Sequence, residues 1–123
     1  MSFTKVSAPT ALGTVLVTSN GLDASAHNNV TGATSGQVYQ VMIDNTANTT
    51  QGVYFKLVDA ASVTIGVTDA DLVFYAPKGK KVTYAINTGH PYTSGVSIWC
   101  TTHPGTSNSS SPPSSVPVSL LAT

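Results

Sequence analysis

The chain has 123 residues, a formal net charge of zero and only 8% charged residues, namely five Lys and five Asp with no Arg and no Glu. That length suits one domain with a single real core, and the charge set excludes whole classes of partner. Nucleic acid is held by clustered Lys and Arg that displace counterions, and the one cluster here is Lys78, Lys80 and Lys81. Without Arg there is no bidentate fork for phosphate, carboxylate or guanine. No apolar run approaches the roughly 18 residues of a membrane helix. Met1 to Lys5 is not followed by the apolar stretch of a secretory signal. The expectation is a protein made in a cytoplasm, with neither nucleic acid nor membrane as partner. A lone Cys100 closes no internal disulfide and reads as a small buried residue on a strand.

Ser and Thr number 33, and 15 Val outnumber 7 Leu, a composition that favours pleated sheet over helix. After an irregular start containing Pro9, residues Gly13 to Thr18 form a short β run, and Asn20-Gly21 marks a tight turn. A weak strand is expected near Ala24 to Thr31. Gln37 to Asp44 alternates with a period of two, which puts Tyr39, Val41 and Ile43 on one face. A polar loop from Asn45 to Gly52 leads to the strand Val53 to Asp59, with Val53, Phe55 and Leu57 facing one way and Tyr54, Lys56 and Val58 the other. Gly66 punctuates the next connection.

Leu72 to Ala76 is apolar on both faces and stops at Pro77, and Pro77-Lys78-Gly79-Lys80 fits a type II turn. Lys81 to Ile86 alternates with Val82, Tyr84 and Ile86 inward, and Gly89 to Tyr92 breaks it. Val96 to Thr101 puts Val96, Ile98 and Cys100 on one side and Trp99 on the other. The low-complexity stretch Thr106 to Ser115 is a long polar loop. Val116 to Leu121 closes the chain as an edge strand, Pro117 turning its missing donor outward.

Seven or eight short strands with frequent turn signals predict an all-β chain, a single antiparallel β-sandwich over residues 1–123. Its irregular N-terminal arm covers residues 1–12 and its Ser/Pro-rich loop residues 106–115. The Cys-Trp-Cys pattern of immunoglobulin domains is absent, so a jelly-roll-like sandwich is expected.

Catalysis finds little footing. His27, His90 and His103 fall in loop or turn contexts, and Cys100 with His103 lacks the further ligands of a zinc site. Asp69 and Asp71 could share a calcium ion, but the EF-hand pattern is missing and turn-capping is the simpler role. Three Asn-x-Ser/Thr triplets, at Asn29, Asn48 and Asn108, are about what chance delivers in so Ser/Thr-rich a chain. No cofactor and no enzymatic activity are expected. The aromatics carry more. Tyr54, Tyr75 and Trp99 face away from the expected core, as sugar-stacking platforms do, yet Val58 and Val73 share their face. A sheet apolar on both sides is covered on both sides, so Tyr54, Val58, Val73, Tyr75 and Trp99 are read as a self-association surface, with a ligand platform as the alternative.

The segments Ile43 to Asn48, Val53 to Ser62, Gly66-Val67-Thr68, Asp71-Leu72-Val73, Ala76 to Gly79 and Tyr92 to Thr102 together resemble a pattern in small virion proteins of tailed bacteriophages. There an aromatic-Leu-Lys-Leu-Tyr-Asp strand is followed by Gly-Thr, an Asp-Leu strand and a Pro-x-Gly turn, then an aromatic-x-x-Gly strand ending in Thr. Two positions depart from it: Ala70 stands where Pro is usual, and Val58 where Tyr is. The similarity covers about residues 41–102. It implies a capsid decoration (cement) protein on the virion surface, bound to the major capsid protein. A tail or baseplate accessory protein, or a carbohydrate-binding or adhesin module, is the alternative. A homotrimer matches the three-fold positions of a capsid lattice. Residues 1–12 and the loop 106–115 would be its gripping arms.

Overall fold

The computed structural model describes residues 15–123, so the N-terminal arm 1–12 lies outside the described residues. Among the described residues there is no helix. Seven strands run β1 (Val15–Leu22), β2 (Gly36–Asp44), β3 (Val53–Asp59), β4 (Leu72–Ala76), β5 (Lys81–Tyr92), β6 (Val96–Thr101) and β7 (Val116–Ala122). They form two antiparallel sheets, one ordered β1-β7-β2-β5 and the other β4-β3-β6. One core lies between them: Val38, Val41 and Ile43 from β2 and Val118 and Leu120 from β7 meet Val53, Phe55, Leu57, Ile98 and Cys100 from the second sheet. Phe55, Phe74 and Tyr84 extend it toward the β4–β5 edge, with ring centroids 5.9 and 5.1 Å apart in succession.

Strands β3, β4 and β6 run as their sequences predict. The turn after β4 also matches: the Lys80 amide donates to the Pro77 carbonyl at 3.2 Å, and Gly79 takes the positive φ of 69° that type II geometry requires.

The four-stranded sheet departs from simple alternation at three places. First, β7 is not an edge strand but lies between β1 and β2. Pro117 is tolerated there because β1 slips in register, Ser19 pairing with Val118 and Leu22 with Val116. The proline is left out of the ladder, as prolines in sheets must be. The same slip absorbs Asn20 and Gly21, which therefore continue β1 instead of turning. Second, β2 holds a bulge: Val38 faces Ala122 and Gln40 faces Leu121, so Tyr39 is the extra residue. Val38 and Val41 thus both point inward, and Tyr39 is half-buried outside the core.

Third, β5 does not stop at Ile86. Ala85 pairs with Gln40 and His90 with Val38, the intervening residues bowing out before pairing resumes through Tyr92. His90 is accordingly a strand residue and not a loop residue. Gly89 makes the bow possible, with φ at 78° and the Gln37 side chain and Tyr39 ring packed where a Cβ would stand.

Between β1 and β2 the expected strand near Ala24 to Thr31 is reduced to a thread along β6. His27 and Ile98 exchange backbone hydrogen bonds of 2.9 and 3.0 Å, the Val30 amide donates to the Val96 carbonyl, and the Cys100 amide to the Asp23 carbonyl.

Candidate functional site

The outer face of the β4-β3-β6 sheet gathers the residues singled out for contact. Cross-strand pairing sets Tyr54 between Tyr75 and Thr101, and Lys56 between Val73 and Trp99. The Tyr54 and Tyr75 rings lie 5.0 Å apart in a tilted pair. Tyr75 leans over Gly52, where a Cβ would come within 2.7 Å of its ring.

The five residues do not share one fate. Val73 and Tyr75 are each 44% exposed and Tyr54 is half-buried, whereas Val58 and Trp99 are buried within the single chain. The covered second face is real, but part of its cover comes from the protein's own loops and needs no second subunit. The β6–β7 connection folds back over it, the Thr102 amide donating to the Ser110 carbonyl. Beneath the fold lies a cavity of about 60 Å³, partly open to solvent, lined by Lys56, Thr68, Ala70, Val73, Trp99, Pro104 and Thr106.

The loop 106–115 is fastened along its length. The Thr106 hydroxyl donates to Asp69, the Ala24 amide to the Ser111 hydroxyl at 3.1 Å, and Pro112 is buried. At its far end the Ser114 amide and carbonyl are both taken by the Asn48 side chain, at 2.7 and 2.9 Å. Asn48 also donates to the Asn45 side-chain oxygen, and the Asn45 amide reaches the Gln51, Ala76 and Pro77 carbonyls. Asn48 is 3% exposed, so its glycosylation triplet is not open to modification in the folded chain.

Lys56 is the residue that sequence reasoning passed over. It lies 1% exposed in the middle of the face, its ammonium donating at 2.8 Å to the Gly105 carbonyl. Desolvation holds its pKa below the ordinary lysine value. The available signal was a single charge on a strand face otherwise carrying Tyr54 and Val58. Cys100, on the opposite face of β6, is fully buried, and burial pushes its thiol up to about 12. Among the described residues no group of three or more His, Cys, Asp or Glu side chains could hold a metal ion.

Asp69 and Asp71 act separately. Asp69 accepts from Thr106, while the Asp71 carboxylate accepts the Asp59 amide at 2.7 Å. The Asp59 carboxylate in turn caps the β5–β6 crossing, accepting the amides of Thr93, Ser94 and Gly95. Burial alone would raise its pKa, but the hydrogen bonds from Ser94, Thr93 and Gly95 outweigh it and hold the carboxyl below its ordinary 3.8. A depressed folded-state pKa contributes stability above the unfolded value that is lost as pH falls through the folded one. The urea midpoint is therefore expected to drop as pH is lowered from 5 through the region below about 4, and Asp59→Asn should flatten that drop.

Comparison with protein-family models, with curated proteins and with solved structures finds no match to this chain.

Proposed function

We propose that this chain is a structural subunit of a tailed-phage particle, a decoration protein that binds the assembled head as a trimer and reinforces joints between major capsid subunits. The observation that carries the reading is the sequence pattern of residues 41–102, whose segments fall in order on β2 to β6 and the turns between them. Strand pairing supports a jelly roll as its fold. From the ends inward, β1 pairs with β7, the thread Asp23 to Val30 with β6, β2 with β5 and β3 with β4, the arrangement of one long hairpin rolled on itself. The thread would occupy the place of the eighth strand.

A protein that binds the finished shell and not its free subunits stabilises the shell by mass action, repeated at every site. The surface left for self-association is the edge strand β4, with Val73 and Tyr75 exposed and Tyr54 beside them. Val58 and Trp99 are withdrawn from it. The burial of Trp99 also weakens the carbohydrate-module alternative, since a covered indole cannot stack on a sugar.

Light scattering is expected to return a mass near three times 12.6 kDa. Tyr75→Asp, which places a charge in the apolar contact, should yield a monomer with an unchanged far-ultraviolet spectrum. A monomeric wild-type chain overturns the trimer. In particles, decoration requires a copy number that tracks the shell lattice, and a count confined to the tail overturns the head assignment.

A further inference from the structure

The cavity above Lys56 borders the proposed contact surface at Val73, but its charge chemistry is one the particle reading does not use. Its floor is Lys56 and Trp99, 1% and 2% exposed, and its walls are Thr68, Ala70, Thr106 and Pro104, with exposed Val73 at the rim. An ammonium carries three donors and no acceptor. One of the three is used on the Gly105 carbonyl at 2.8 Å, and among the described residues no carboxylate comes within ion-pair distance of Lys56. A buried charge without a counter-charge is an unbalanced arrangement that an incoming anion would correct.

We propose that this pocket is a carboxylate-binding site, taking the head group of a small organic acid against the Lys56 ammonium. Size and charge select that class. About 60 Å³ is far below the roughly 300 Å³ of a pocket for a drug-sized ligand, so a head group enters and a whole ring does not. One cation balances one negative charge, and with no Arg in the chain nothing matches the multiple donors that phosphate sites assemble. Thr68 and Thr106 line the cavity with Lys56, the Thr106 hydroxyl being committed to Asp69, and the apolar rim at Val73 leaves room for the remainder of a larger acid to lie outside.

Trp99 is the sole tryptophan and lines this cavity, so tryptophan emission reports on its surroundings. At constant ionic strength, acetate is expected to shift that emission saturably in the millimolar range, and acetamide, its uncharged counterpart, to leave it unchanged. Lys56→Met keeps the apolar stem, removes the charge and should weaken acetate binding at least about ten-fold. Should Lys56→Met fail to fold, nuclear magnetic resonance of the Lys56 Nζ in the native chain decides the matter, because a bound carboxylate must raise that ammonium's pKa by linkage.

Glucuronate binding more tightly than acetate identifies a sugar acid as the source of the carboxylate, and equal or weaker binding a free small acid. Either result upholds the site. An equal response to acetamide, a response surviving in Lys56→Met, or an unmoved Lys56 titration overturns it. A monomeric chain that still binds acetate would separate this site from the particle reading.

Discussion

Asn45→Ala is expected to lower the unfolding free energy by about 3 kcal/mol and the thermal midpoint by roughly 10 °C. Asn45 is fully buried where the β2–β3 loop, the end of β4 and its turn, and the 106–115 loop converge. Its amide donates to the Gln51, Ala76 and Pro77 carbonyls, its oxygen accepts from Asn48, and its own backbone amide reaches the Lys80 carbonyl. Removing the side chain strips the Gln51 and buried Ala76 carbonyls of this donor and the Asn48 amide of one acceptor, while the Pro77 carbonyl keeps the Lys80 amide, and each buried group left unpaired costs its desolvation. Asn45→Asp separates donor loss from cavity formation: it keeps the volume but turns an acceptor toward three carbonyls, so its loss should be at least as large. A midpoint unchanged in Asn45→Asp would show that the amide is not what joins these loops.

Phe55→Ala should cost about 4 kcal/mol, the loss of a fully buried aromatic ring plus the cavity it leaves. Phe55 is central to β3, paired with Phe74 of β4 and Cys100 of β6, and has no exposed surface. Its ring meets that of Phe74, which meets Tyr84 of the opposite sheet, so the cavity would open between the sheets at their closed edge. Phe55→Leu retains most of the volume and should cost about 1 kcal/mol. Urea unfolding with an unchanged slope would place the effect in the native core. A Phe55→Ala loss no greater than that of Phe55→Leu would mean that the two sheets collapse onto the space.

The strands of the second sheet were legible because each is a short β-branched and aromatic run closed by a loop or by Pro, as Leu72 to Ala76 is closed by Pro77. Alternation also assigned Val53, Phe55 and Leu57 to the core, and the structure agrees. It failed in β2, where one extra residue reverses the facing of everything before it and exchanges Tyr39 for Val38. It failed again on exposure. Alternation says which face Trp99 lies on, but burial also depends on what folds over that face. Here that is a loop whose Ser-rich composition gave no sign of where it would lie. Asn45 and Asn48 stood in a segment that reads as loop, and nothing local distinguishes an amide facing water from one facing three carbonyls.

The class of structure follows from composition and punctuation, β-forming residues in short runs closed by turns, and the poverty of charge narrows what the protein can bind. Which strands are neighbours and which residues are covered follow instead from long-range packing. Pro117 could stand in the middle of a sheet because β1 slips beside it, and Lys56 could be buried because Gly105 accepts from it across the fold-back. Both depend on segments far away along the chain. Local preference acts over a few residues, whereas lateral strand order and burial arise from contacts made only once the whole chain has closed on its core.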